Sequence, residues 1–365
     1  MTTDNAAGGA PATLLETRYR TVLRLLPAYY RREREEEMVE VYLWDVDRDT
    51  QDQSRPTLGE VASIAALGVR TRLGAAGGAP RRYALAGSAV RLFALFAVLL
   101  QAAAAVVDRA LELTWASTGG PAQWQLFRSG FTGHGAVQGI AAGAIWVLPL
   151  LWTVAYFALL HGRRRLAQAG ALLAALPSLW PFLAPLVTDA FLPDSPYASV
   201  CVVFAWLTAL GLCAAHHRDA PAAELPVLPP GLAYLACCVV MGASVVLVPM
   251  AADPVWAPAT CFLVVALGRL VRRARRPAGN VEATLALAVL GLLVLALRLA
   301  ALYSWLDVPV PAVTLAAFLT QAAAALLSTA ALAVVGGRDL AGLSAGTPAA
   351  GAGSEPPPGT PRCGC

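Results

Sequence analysis

Few side chains in this 365-residue chain are suited to chemistry. Arg298 lies inside an apolar stretch, Val281–Ala301, where an ionised group is a functional candidate by default. It sits toward the end that the charge pattern assigns to the outside, close enough to the surface to snorkel. Asp253 and Asp307 are its candidate partners, and the expected role is an interfacial ion pair. Gln101 and Gln321 are the main polar side chains within apolar stretches and are expected to hydrogen-bond between helices. No Asp, Glu or His falls near the middle of a stretch, which argues against a proton or sodium relay. His216 and His217 are adjacent, so on a helix they do not share a face. Cys213 is their only near companion, and no metal site is expected. Cys363-Gly364-Cys365 closes a small-residue tail. There is no Walker loop, dinucleotide fingerprint, nucleophile elbow or zinc-protease motif. Neither an enzyme nor a cofactor is expected.

The elements that carry these residues follow from hydropathy. Only 14% of residues are charged and 58% are hydrophobic, against about 25% charged in a soluble domain. Apolar stretches run at about Ala84–Val107, Ala136–Leu160, Ala169–Ala190, Ala198–Ala215, Gly231–Met250, Trp256–Val271, Val281–Ala301 and Ala312–Val335. Runs of roughly 20 apolar residues read as membrane helices, because hydrocarbon leaves backbone polar groups no other partner.

Alternate loops carry the arginines. One holds Arg163, Arg164 and Arg165; another Arg218; a third Arg269, Arg272, Arg273, Arg275 and Arg276. The loops between hold Asp194, Asp253 and Asp307 and no Arg. That alternation is the positive-inside pattern, and it predicts eight spans with both termini in the cytosol. The segment before Ala84 is polar, with no signal-peptide pattern, so the first span is expected to drive insertion.

All 27 basic residues are Arg, and Ala, Gly and Pro are abundant, as in GC-rich bacterial genomes. The net charge of +4 is accounted for by the cytosolic loops, so no nucleic-acid partner is expected. None of the seven Cys lies well out in an external loop, so no disulfide framework is expected.

Ahead of the membrane part, residues 13–73 read as a cytosolic helical domain, following a disordered stretch at 1–12. Leu15, Tyr19, Val22 and Leu26 share one face of a first helix. Pro27 opens a second, running to about Val46. Within it, Arg31 with Glu35 and Arg32 with Glu36 are spaced for i,i+4 pairs. A third helix opens after Pro56, with Thr57 and Glu60 at capping-box spacing. Residues 74–82 form a linker, 83–335 the membrane domain, and 336–365 a disordered cytosolic tail. The charged, aromatic second helix is either a solvated face or a docking surface. For docking, the candidate contacts are Tyr29, Tyr30, Arg34, Glu37 and Trp44.

The segment YRTVLRLLPAYYRREREEEMVEVYLW (Tyr19–Trp44), with the helix over Thr57–Arg72, resembles the N-terminal domain of actinobacterial multi-pass membrane proteins. It looks related to the HAAS and permease-prefix type of signalling domain, with an Arg/Tyr-rich helix, a Leu-Leu-Pro break and an acidic second helix. The resemblance implies a domain that links a membrane region to regulators or transport machinery. It covers about 60 residues and none of the membrane part.

Two small-residue patterns remain. Gly135, Gly139 and Gly143 recur every four residues, which suits close packing inside the bundle or a seam with a second copy. Pro177, Pro181 and Pro185 share a face of the third span, so it should be kinked or broken, either as plain structure or as a gate. Trp124, Phe127 and Phe131, in the long external loop Asp108–His134, form an aromatic stripe suited to the outer leaflet.

The expected fold is therefore all-α: a three-helix cytosolic domain followed by eight spans in the bacterial inner membrane. The expected function is regulatory, with the small domain coupling the bundle to a cytosolic regulator. The alternative is a permease, or the membrane subunit of one driven by a separate ATPase. Other expected partners are the lipid bilayer and possible further copies of the chain.

Overall fold

A computed structural model describes residues 13–44, 55–74, 81–132, 135–187, 196–216, 228–248, 253–275, 280–305 and 309–345. Asp194, His217, Arg218, Arg276, Asp307, Cys363 and Cys365 lie outside them, as do residues 1–12, most of the linker and the end of the tail. Every regular element among the described residues is helical. The helices are α1 (Leu14–Leu23), α2 (Ala28–Trp44), α3 (Leu58–Arg72), α4 (Arg81–Thr118), α5 (Pro121–Thr132), α6 (Ala136–Val147), α7 (Leu151–Leu160), α8 (Arg164–Ala175), α9 (Trp180–Val187), α10 (Pro196–Ala215), α11 (Pro230–Leu247), α12 (Trp256–Arg275), α13 (Val281–Ser304) and α14 (Ala312–Ala345).

Seven helical runs among these residues are long and apolar enough to cross a membrane: Arg81–Thr118, Ala136–Leu160, Arg164–Leu186, Pro196–Ala215, Pro230–Leu247, Val281–Ser304 and Ala312–Gly342. The chain is a multi-pass, all-helical membrane protein. The sixth expected span, α12, has 20 residues but carries Arg269, Arg272 and Arg273, so composition alone does not make it a span.

The bundle is organised around α4 and α13. Ala94, Ala97, Ala102 and Ala103 of α4 are completely covered, as are Ala286 and Val294 of α13 to within a percent. Small side chains let neighbouring helices approach closely, which is how membrane bundles pack without a water-driven hydrophobic effect. Gly291 of α13 illustrates this. A Cβ there would fall 2.4 Å from Thr329 Oγ1 of α14 and 2.6 Å from Phe262 of α12. By contrast α11 turns Leu232, Leu235, Val239 and Val246 outward, an apolar face suited to lipid.

At 38 residues and 1.5 Å per residue, α4 is about 57 Å long, well beyond a hydrocarbon core of roughly 30 Å. It carries the charged residues Asp108, Arg109 and Glu112 near its C-terminal end. Arg109 Nη1 contacts Glu112 Oε1 at 2.5 Å, and Glu112 Oε2 accepts the indole N–H of Trp146 at 2.8 Å, which ties α4 to α6. The aromatic stripe lies on α5 and packs against that same indole, with Phe127 and Phe131 each 6.3 Å from it.

Helix α14 runs through Gly336 and Gly337 to Ala345, past the expected end of the membrane domain at 335. Asp339 meets Arg273 at 2.5 Å, and Gly336 sits against Leu285, where a Cβ would fall 2.8 Å from Leu285 Cδ2. These contacts hold a segment whose composition alone reads as tail.

The Pro-rich third span is interrupted. Pro177 lies in a 3-10 turn, Leu176–Leu179, that separates α8 from α9. Pro181 falls in the first turn of α9 and Pro185 inside it. The second span has a matching 3-10 turn at Leu148–Leu150, around Pro149, and the two turns pack together.

Of the three repeated glycines, Gly135 precedes α6 with φ +84°, and Gly143 has open space where a Cβ would be. Only at Gly139 would a Cβ meet another element, falling 2.7 Å from Phe131 O of α5.

Candidate functional site

The small domain closes on a thin core of Leu15, Tyr19, Leu23, Leu26, Val39 and Ile64. Tyr19 and Tyr42 stack with ring centres 3.9 Å apart. Tyr42 Oη donates to Glu60 Oε2 at 3.1 Å, and that oxygen also accepts the Thr57 N–H at 2.8 Å. Thr57 Oγ1 in turn accepts the Glu60 N–H at 3.3 Å, completing the capping box. Burial and the Glu60 hydrogen bond push the Tyr42 phenol up to about 12.

Glu35 and Glu36 of α2 do not pair with Arg31 and Arg32 as the spacing predicts. Glu36 accepts two bonds of 2.9 Å from Arg20 of α1, and Glu35 lies 3.7 Å from the same guanidinium. Arg20 Nε also donates to Glu16 at 2.9 Å. These hydrogen bonds hold the Glu36 carboxyl below its ordinary value. Helix packing brings a better-oriented cation to the two carboxylates than local i,i+4 geometry does, because Arg20 can present both arms of its fork.

A groove of about 370 Å³ opens on this domain, lined by Tyr19, Tyr30, Arg34, Glu37, Met38, Val41 and Tyr42. Its rim carries the Arg34–Glu37 pair at 2.9 Å, and Val41 on α2 is 65% exposed. Three of the five expected contact residues, Tyr30, Arg34 and Glu37, line this groove. Trp44, at the end of α2, is 88% exposed but is not among its lining residues. Tyr29 faces elsewhere: its Oη donates to Thr71 O at 2.9 Å and its ring lies 5.1 Å from Tyr83 of α4.

Tyr29 thereby belongs to the junction between the domain and the bundle. At that junction Leu73 presses on Gly87 of α4, where a Cβ would fall 1.9 Å from Leu73 O. Only glycine permits this approach. Nothing in the sequence pattern singles out Gly87, since its partner is distant in register and on another element.

The bundle contains one buried ion pair among the described residues. Arg298 of α13 contacts Asp253, which precedes α12, with both side chains 1% exposed. Asp253 Oδ1 also accepts the Val255 N–H at 3.0 Å, fixing the turn into α12. The guanidinium lies 4.4 Å from the centre of the Phe318 ring of α14. Tyr197 of α10 lies within electrostatic reach of Asp253 and of Asp108. Gln321 of α14 donates to Trp256 O at 3.0 Å and bonds Thr260 Oγ1 at 2.9 Å. Polar side chains thus tie α12 and the turn before it to both α13 and α14.

Arg298 meets Asp253, one of its two expected partners, but its side chain does not snorkel to a surface. Arg298 is enclosed by protein, because α12 and α14 both close over it. Gln321 does bridge helices. Gln101 Nε2 is buried without a hydrogen-bond partner in the structure.

The described residues define a class: an all-helical, multi-pass membrane protein. No family model matches the chain, and neither a curated protein nor a solved structure matches it. The N-terminal resemblance therefore stands on its own residues.

Proposed function

We propose that this chain is a non-enzymatic regulatory protein of a bacterial inner membrane. Its N-terminal domain faces the cytosol and couples the bundle to a cytosolic partner. Eight helices span the bilayer in this reading, α12 among them, and both termini are cytosolic. The arginine-rich turns after α7 and at the end of α12 support that orientation.

The observation that carries the coupling role is the docked junction. The groove-bearing α2 is tied through Tyr29 to both Thr71 and Tyr83, and Gly87 lets α3 seat directly on α4. A ligand that shifts α2 therefore pushes on the longest helix of the bundle. The groove has an aromatic and aliphatic floor with one cation and one anion on its rim, which suits an amphipathic helix of a partner. The test is co-purification from membranes in mild detergent, with full-length protein compared with Val41→Glu. A partner held by the former and lost from the latter supports the reading. Equal recovery with both counts against it.

Transport is the second reading, and one observation favours it: the two packed 3-10 interruptions around Pro149 and Pro177. Interrupted helices in pairs mark pathways in transporters. Replacing Pro177, Pro181 and Pro185 by Ala would abolish flux if they form a gate, and unchanged flux would end this reading.

A further inference from the structure

An apolar cavity of about 350 Å³ lies between α4, α11, α12 and α13, with Phe96, Val240, Val265 and Leu287 among its walls. This is within the size range of ligand sites. Its only charged lining residues are Arg269 and Arg272, one turn apart on α12. Arg269 is held in place: Nε donates to Thr284 Oγ1 at 3.2 Å, and Nη2 to Thr284 Oγ1 at 3.0 Å and to Asn280 O. Nη1 has no such commitment. Arg273, by contrast, is neutralised by Asp339 at 2.5 Å. No carboxylate among the described residues pairs with Arg272, which is exposed. Gly268 also lines the cavity and has open space where a Cβ would be.

We infer that this cleft holds an anionic phospholipid of the surrounding bilayer, with one acyl chain in the apolar cavity and the phosphate at Arg269 and Arg272. The chemistry is complementary at both ends. An acyl chain matches walls that water solvates poorly, and α11 beside it is the least covered candidate span, leaving a way in from the lipid. A phosphodiester matches two planar guanidinium donors. Basic pockets between spans on the cytoplasmic side bind such headgroups. A zwitterionic headgroup brings an ammonium next to two guanidinium groups, and Asp339, the carboxylate within electrostatic reach of Arg269, is already held by Arg273, so it should bind less well. The inference rests on the arginine-rich ends being cytosolic, but on no part of the coupling role.

The test is native mass spectrometry of the purified full-length chain in detergent micelles, titrated with phosphatidylglycerol or phosphatidylcholine. Phosphatidylglycerol should be retained at least fivefold better. Arg272→Gln should cut its retention by about fivefold, the weight of one arginine near an anionic headgroup. Gly268→Phe, which puts a ring on the cavity lining where a Cβ meets nothing within 4 Å, should cut it too. Arg275→Gln, on the same helix end but outside the cavity, should leave it unchanged. Equal retention of the two lipids would overturn the inference. So would a loss in Arg275→Gln matching that in Arg272→Gln, since that would mean diffuse charge. Retention of inorganic phosphate alone at the same level would show that the chain-binding cavity plays no part.

Discussion

Replacing Arg298 by Met leaves the Asp253 carboxylate buried without its cation, and replacing Asp253 by Asn leaves the guanidinium facing a neutral amide. Both side chains are 1% exposed, so neither can turn to water. Breaking a buried pair by removing one partner costs about 3–5 kcal/mol. At roughly 2–4 °C per kcal/mol for a domain of this order, each single variant should lose about 6–20 °C of apparent melting temperature. The double variant should recover most of that loss, because two neutral groups need no mutual compensation. Asn keeps an acceptor for the Val255 N–H, so the turn into α12 survives in the comparison. The Phe318 ring, 4.4 Å from the guanidinium, compensates in part when Asp253 is lost, by about 2 kcal/mol at a dry site. Asp253→Asn should therefore be milder than Arg298→Met. The assay is thermal unfolding in one detergent at a fixed scan rate, since such unfolding is commonly irreversible and rate-dependent. An Arg298→Met variant within about 2 °C of the parent would refute the reasoning, as would a double variant that falls by the sum of the singles.

Three further outcomes follow from other parts of the molecule. Gly87→Leu should detach the small domain from α4 without unfolding the bundle, giving faster protease cleavage between residues 73 and 87; unchanged cleavage would show that the Leu73 contact does not hold the junction. The Tyr42 phenol is raised to about 12 from an ordinary value near 10, so its contribution to domain stability is complete below pH 10 and disappears as pH rises from about 10 to about 12. Glu60→Gln should weaken that alkaline transition and shift phenolate absorbance to lower pH, while an unmoved titration would contradict the Tyr42–Glu60 bond. A reporter fused after Asp194 should read external and one fused after Arg275 cytosolic, and the reverse pattern would break the proposed topology.

Much of this architecture is legible in the sequence because its determinants are local. Seven of the eight expected spans meet a helix of sufficient length and apolarity, since hydrophobic length is summed along the chain. The capping box needs only Thr57 and Glu60 three residues apart, and it forms as written. Where partners come from distant elements, local rules mislead. Glu35 and Glu36 are well spaced for Arg31 and Arg32, yet Arg20 of α1 takes them because helix packing decides which cation is oriented. Gly135, Gly139 and Gly143 form a regular pattern, but Gly87, which has no pattern, makes the tightest approach to another backbone. Pro149 is a lone proline beside a conspicuous triplet, and its role emerges only when the two spans lie side by side. Asp253 was visible as a partner for Arg298, while the helices that bury the pair were not.

The coupling role is tested most directly at the groove itself. A photo-crosslinking amino acid at Val41, on the groove, should capture one distinct cytosolic protein in intact cells, and the same probe at Val69, exposed on α3 outside the groove, should not. The adduct should vanish when Tyr30 is replaced by Glu. A Val41 probe that captures nothing, or the same proteins as the Val69 probe, would contradict the account.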